Sequence, residues 1–146
     1  MTEYMLSPAS GKIIRIDEGS RTIIIFMHLH NVHITAAPLD GVVKKTTPVK
    51  GTFKPAFLRS SDFNTRNTIE EETRYGDIKI VQIAGFFTRK IKCEVTSGQE
   101  IQKGERIGKI CFGSRVDVSI PESFEILVKI GDKVKCRKTA IAANSE

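Results

Sequence analysis

Val95-Thr96-Ser97-Gly98-Gln99-Glu100-Ile101-Gln102-Lys103-Gly104-Glu105-Arg106-Ile107 returns, 33 residues later, as Val128-Lys129-Ile130-Gly131-Asp132-Lys133-Val134-Lys135-Cys136-Arg137-Lys138-Thr139-Ala140. In both copies a glycine sits midway between two apolar residues, and Gly104 of the first is Arg137 in the second. Such spacing suits short strands joined by tight glycine turns and does not suit a helix. A second repeat lies upstream. Pro8-Ala9-Ser10-Gly11-Lys12-Ile13 and Pro38-Leu39-Asp40-Gly41-Val42-Val43 are each a Pro-x-x-Gly turn that launches a strand. Two pairs of repeated units predict an internally repetitive all-β domain.

Other segments agree. Lys12 to Ile16 and Thr22 to Phe26 read as strands, the second β-branched and buried on both faces. Asp77 to Ile83 alternates well and predicts another strand. Pro48 to Asn67, with its prolines, Gly51 and many small polar residues, predicts an irregular, functional or mobile loop. Glu70-Glu71-Glu72 reads as a solvated strand edge or turn. The expected fold is all-β, a barrel or sandwich of repeated hairpin units, in a single domain over residues 1–146. The unit resembles the half-motif of biotinyl and lipoyl domains, but no lysine stands out at the hairpin tip a carrier would need.

A net charge of +6 favours anionic partners such as phospholipid surfaces or acidic metabolites. Nucleic acid is not expected, because there is no Lys/Arg-rich block, aromatic stacking motif or recognition helix. Cys93, Cys111 and Cys136 are odd in number and widely spaced, which predicts unpaired thiols in a reduced compartment. The longest apolar run, Ile23 to Met27, is too short to span a bilayer, and no signal peptide is evident. A cytoplasmic protein is expected.

Lys109-Ile110-Cys111-Phe112-Gly113-Ser114-Arg115-Val116-Asp117-Val118 carries the candidate chemistry. An apolar strand runs into Gly113-Ser114, and alternation resumes through Val116, Val118 and Ile120. Glycine leaves its carbonyl unshielded and its backbone free to adopt a strained angle. A serine held there could attack the preceding carbonyl, given a base and oxyanion donors. A plain turn is the other reading.

Val81-Gln82-Ile83-Ala84-Gly85, Arg89-Lys90-Ile91, Gly104-Glu105-Arg106-Ile107-Gly108 and Phe112-Gly113-Ser114-Arg115-Val116-Asp117 together resemble the phosphatidylserine decarboxylase family in its short bacterial and archaeal form, from about Leu6 to Ile141. Asn64-Thr65-Arg66-Asn67 resembles a further family motif, which usually has Glu where Thr65 stands. The resemblance implies a chain that matures by self-cleavage. Ser114 attacks the Gly113 carbonyl, the amide becomes an ester, and elimination leaves fragments 1–113 and 114–146. Ser114 then becomes a covalent pyruvoyl cofactor, the electron sink for decarboxylation. The implied substrate is phosphatidylserine or a related serine-headed phospholipid, and the product an ethanolamine phospholipid. The implied partners are that lipid, a membrane surface bound peripherally, and a second copy of the chain in a homodimer. Lys44, Lys45, Lys50 and Lys54, ahead of Phe57 and Leu58, are the candidates for membrane attachment.

The resemblance assigns the base to His33; His30, which the resemblance does not explain, is a candidate to stand in for the lost acid-orienting groups. His28 and His30 share a face if their segment is a strand, and they read as a hydrogen-bonded or solvent-facing pair rather than as zinc ligands with His33. The chain departs from the family pattern at Ser10 and Asn31, where members carry Asp, and at Ala36, where they carry His or Arg. These departures bear on how efficiently the chain matures; the decarboxylase stays the leading reading, and the alternative function is an uncleaved, non-catalytic relative that binds lipid or a partner subunit.

Overall fold

The computed structural model describes residues 1–27, 34–86, 90–110 and 113–145. In chain order the strands are β1 (Thr2–Leu6), β2 (Gly11–Asp17), β3 (Thr22–Phe26), β4 (Ile34–Ala36), β5 (Gly41–Val49), β6 (Arg66–Thr73) and β7 (Gly76–Ile83). After them come β8 (Ile91–Cys93), β9 (Glu100–Ile101), β10 (Arg106–Ile110), β11 (Arg115–Ser119), β12 (Glu125–Ile126), β13 (Lys133–Val134) and β14 (Ala140–Ser145). The helical content among the described residues is one 3₁₀ turn, Arg59–Phe63. The expected all-β fold of hairpin units is the observed one. Eight strands form an antiparallel sheet in the order β13-β2-β3-β11-β7-β6-β5-β9; β1-β14-β12 and β4-β10-β8 form two smaller sheets. Ile23, Ile24 and Ile25 are all buried, as a run covered on both faces must be.

The repeats become a pseudo-two-fold. Gly11 and Lys12 pair with Val134 and Lys133, while Gly41 and Val42 pair with Ile101 and Glu100. The Gly131 amide donates to the Ile13 carbonyl at 2.8 Å, and the Gly98 amide to Val43 at 2.7 Å. Ser10 Oγ accepts the Cys136 amide at 2.8 Å, as Asp40 Oδ1 accepts that of Lys103 at 2.6 Å. The two Pro-x-x-Gly turns bond reciprocally, Leu6 N to Pro38 O at 3.2 Å and Ala36 N to Pro8 O at 2.9 Å. Arg137 keeps the left-handed backbone of its counterpart, with φ of 67° against 85° at Gly104, at a cost of about 1–2 kcal/mol.

Two local expectations change. The Pro48 to Asn67 segment is more regular than its composition suggests. β5 runs on to Val49 with Pro48 opposite Asn67, and a Thr52–Asn64 bridge and the 3₁₀ turn organise the rest. Glu70, Glu71 and Glu72 are neither edge nor turn but the middle of β6, paired with β5 and β7 on either side. Alternation sends Glu70 outward, 3.6 Å from Lys45, and turns Glu71 into the protein.

Both Glu71 carboxyl oxygens are buried without a hydrogen-bond partner, and the side chain packs against Gly41. Burial, with a smaller contribution from the Asp40 carboxylate, pushes its pKa up to about 8. An acid whose folded pKa lies above its unfolded value costs stability as pH rises between the two. The Glu71 penalty is therefore absent near pH 4.5, grows towards pH 8, and is complete above it. Glu71→Gln is expected to change Tm little at pH 4.5 and to stabilise by on the order of 3 kcal/mol at pH 9. Thermal unfolding of both proteins across that range checks this; a pH-independent difference would contradict it.

Candidate active site

The β-branched run of β3 ends at Phe26, and its register extends the sheet to the chemistry. Phe26 pairs with Lys12 on one side and Arg115 on the other, so Gly11 and Ser114 flank Met27. The Gly113 amide donates to the Met27 carbonyl at 2.8 Å, and the Met27 amide to the Ser114 carbonyl at 2.9 Å. One residue thus clasps the Gly113–Ser114 peptide from both ends. Ser114 is fully buried, with Oγ 3.6 Å from Met27 Sδ. Gly113 has φ of 78°, a conformation glycine adopts without the penalty of a Cβ.

From the other side Gly85 closes on the same peptide. A Cβ at Gly85 would overlap the Gly113 carbonyl oxygen and carbon. Gly85 is fixed in turn. The Ala84 amide donates to Thr65 O at 2.9 Å, and Asn64 Nδ2 donates to Ala84 O at 2.7 Å and Lys54 O at 2.8 Å. Asn64 Oδ1 accepts from the Lys54 amide and the Thr52 hydroxyl. Thr65, where the family pattern has Glu, holds Gly51 through its hydroxyl. The loop from 51 to 65 is therefore a brace for Gly85.

A second brace starts one residue after Ser114. Arg115, nearly buried, makes a two-pronged bond to Asp117 at 3.0 and 2.8 Å, and its third nitrogen meets Ser61 Oγ at 2.7 Å and Asp62 Oδ1 at 2.8 Å. Arg15 shares Asp62 at 2.9 Å. Burial opposes the Arg115 charge, yet the hydrogen bonds and charges of Asp117 and Asp62 outweigh it and raise its pKa. Burial likewise works against the Asp62 carboxylate, and Arg15 and Arg115 more than offset it, lowering its pKa. On the opposite face, Asn67 Nδ2 bonds Gln82 Oε1 at 3.0 Å, and Gln82 Nε2 bonds Lys92 O at 3.1 Å, a buried polar tie between the large sheet and β8.

Of the residues the sequence nominated, Gly113 and Ser114 stand together at this clasp. His28, His30, Asn31 and His33 lie outside the described residues. Ser10 Oγ accepts the Cys136 amide, and the Ala36 methyl is fully buried in β4 opposite Arg106. Lys44 and Lys45 sit on β5 paired with Asp77 and Glu70; Lys50 and Lys54 lie beyond it, at the Gly85 end of the sheet. Met27, Gly85 as a close approach, and the Ser61–Asp62 contact to Arg115 were not foreseen. The Met27 clasp follows from strand register alone, while the other two need tertiary contacts.

The Gly113–Ser114 peptide is buried and held by backbone on two sides at the centre of an all-β sheet, whereas a carrier domain needs its modified residue exposed at a hairpin tip. The comparisons are more specific. The phosphatidylserine decarboxylase family model matches residues 2–142, and the chain belongs to that family. A Methanosarcina barkeri protein provisionally named archaetidylserine decarboxylase proenzyme is 45% identical over 139 residues, covering 95% of this chain and 68% of its own length. A Methanococcoides burtonii protein of the same name is 43% identical, covering 94% and 65%. A phosphatidylserine decarboxylase proenzyme of Streptomyces coelicolor is 41% identical, covering 94% and 64%. The chain thus spans about two thirds of the length of these relatives.

Because the atoms facing Gly85 are backbone, nothing flexible can give way to a larger residue. Gly85→Ala is expected to destabilise by about 1–3 kcal/mol, read as a lowered urea midpoint. An unchanged midpoint would mean that this approach is looser than described.

Proposed function

We propose that this chain is a pyruvoyl-dependent decarboxylase of a serine-headed phospholipid, matured by self-cleavage between Gly113 and Ser114. The observation that carries the reading is the grip on that peptide: Met27 holds both flanking backbone groups, and Gly85 lies directly against the carbonyl under attack. Ser114 Oγ adds to the Gly113 carbonyl carbon, and the C–N bond breaks as the hydroxyl proton passes to nitrogen, giving an ester isomeric with the amide. Removal of the Ser114 α-proton expels the Gly113 carboxylate, and hydrolysis consumes one water and releases ammonia. Ser114 and Gly113 are adjacent and held by backbone on both sides, so nucleophile and carbonyl are kept together. His33 is the proposed base, and His30 is proposed to stand in for the lost acid-orienting groups. When formed, the pyruvoyl group supplies the electron sink for loss of carbon dioxide. The β11 backbone would hold it beside Met27.

The lipid must reach this site from a bilayer, and the surface beside it is suited to one. Phe57 packs edge-on against Phe26 at 5.9 Å yet stays 61% exposed; Phe63 is 71% exposed, and Leu58 and Phe86 are exposed too. Phe86 directly follows Gly85, and with Phe57, Pro55 and Lys54 it lines a shallow hollow of about 590 Å³. Lys50, Lys54 and Arg59 add positive charge, each cation contributing about 1 kcal/mol on an anionic surface. No helix among the described residues is long and apolar enough to cross a membrane; the exposed aromatic and basic side chains make this patch the proposed peripheral attachment.

Intact-mass analysis tests the maturation. The parent is expected to give two fragments, 1–113 and 114–146, the smaller without an ordinary amino terminus. Ser114→Ala should remain one chain, and Gly85→Ala should be cut at least about 100-fold more slowly. A parent that stays intact on long incubation would make the chain an uncleaved lipid-binding relative. For the surface, co-sedimentation with anionic vesicles should weaken with salt and with a paired Phe57→Ser and Phe86→Ser substitution. Binding indifferent to both would remove the membrane reading.

A further inference from the structure

Where β8 and β10 overhang β5 and β6, the protein has an open groove of about 880 Å³ that the chemistry at Ser114 leaves unused. Five cations line it: Lys50, Arg66, Lys90, Lys92 and Lys109. Among the described residues no carboxylate does. Several lysines elsewhere are matched, Lys44 with Asp77, Lys45 with Glu70 and Lys103 with Glu3. In the groove Lys92 reaches Glu94, at 3.7 Å, but that carboxylate is shared with Arg106 at 2.5 Å. Arg66 spends one nitrogen on the Asn64 carbonyl. Gathering like charges is unfavourable unless an anion offsets them, and the site for that anion is the groove itself. Its walls are not uniformly polar. Val49, Pro48 and Ile91 contribute apolar surface, and Asn67 at its base is fixed by Gln82. Charge beside hydrocarbon suits an anion that carries carbon substituents better than a bare ion.

The groove also lies at a fixed distance from the chemistry. Arg66 pairs with Ile83, and Ile83 with Arg115, so Arg66 is two strands, roughly 10 Å, from the residue after Ser114. Lys109, next to the last residue of β10, lies five positions before Ser114. In a serine-headed lipid only two carbons and the ester oxygen separate the amine from phosphorus, so amine and phosphate must bind close together. We propose that this groove is the subsite for the phosphodiester of the lipid, with Lys90, Lys92, Lys109 and Arg66 around its oxygens and Val49 and Ile91 against the carbon chain beyond. The phosphate-binding role stands on the groove's own charge; only the identity of the head group rests on the decarboxylase reading of Ser114.

Cys93 is a free, exposed thiol in the lining and reports occupancy directly. Its alkylation by iodoacetamide, followed by peptide mass, is measured with dihexanoylphosphatidylserine, dihexanoylphosphatidylglycerol (both below their micelle concentrations) or inorganic phosphate. Both lipids are expected to protect Cys93, and inorganic phosphate at equal concentration is not. The double variant Lys90→Gln, Lys109→Gln should need about tenfold more lipid for the same protection, a loss of about 1.4 kcal/mol. The exposed pair Lys129→Gln, Lys138→Gln, which removes the same charge elsewhere, should behave as the parent. Protection should persist in Ser114→Ala, which separates the two readings: an uncleaved parent that is still protected loses the decarboxylase assignment and keeps the groove. If the enzyme turns over, the groove variant should raise KM about tenfold with kcat little changed. Absent protection, protection unaltered in the groove variant, or equal protection by inorganic phosphate would each overturn the proposal.

Discussion

Two reciprocal hydrogen bonds, Leu6 N to Pro38 O and Ala36 N to Pro8 O, hold the architecture together. Each turn carries buried backbone groups that must find partners, and each satisfies the other's. Once they are joined, β2 and β5 leave from matched points, and the glycine-turn units that become β13 and β9 cap them in the same way. Cys136 secures the junction. Its thiol, pushed up to about 11 mainly by burial, stays protonated and bonds the Pro8 and Ile34 carbonyls at 3.5 Å each.

Between these matched wings lie β3, β11, β7 and β6, and this insertion sets where chemistry can occur. Because β11 runs between β3 and β7, the Gly113–Ser114 peptide enters at the centre of the sheet rather than at an edge. A central position supplies neighbours on both sides. Met27 is the continuation of β3, and Ala84-Gly85 the continuation of β7. The Arg115–Asp117 pair with Asp62 and Ser61 then fastens the 51–65 segment over the same end, so packing, ion pairs and backbone bonds converge on one peptide.

The repeats and the Gly113–Ser114 dipeptide were legible because they are local patterns. Residue spacing alone marks Gly98 and Gly131 as turns, and both have positive φ. Even the exception at Arg137 was visible as a broken repeat. Glu71 was not legible, because three consecutive acids look solvated until the strand on each side is known. With β5 and β7 both paired to β6, alternation leaves the middle acid nowhere to point but inward. The brace around Gly85 was hidden for a similar reason. Asn64, Thr65 and Ser61 are ordinary loop residues by composition, and they matter through bonds to positions 20 and 54 residues away.

The division between what the backbone and the side chains supply bears on the departures at Ser10, Asn31 and Ala36. The grip on Gly113–Ser114 consists of Met27 N and O and of the missing side chain at Gly85, and neither Ser10 nor Ala36 supplies any of these groups. Ser10 still performs the structural part of its position, because a hydroxyl caps the Cys136 amide as the Asp40 carboxylate caps Lys103. What Ser10 cannot supply is negative charge near Met27. Such a loss slows proton transfer without displacing the atoms that react. A cleavage required once in the life of a chain tolerates that slowing far better than a step repeated at every turnover. The geometry of the proposed maturation is therefore written into the strands that also make the fold.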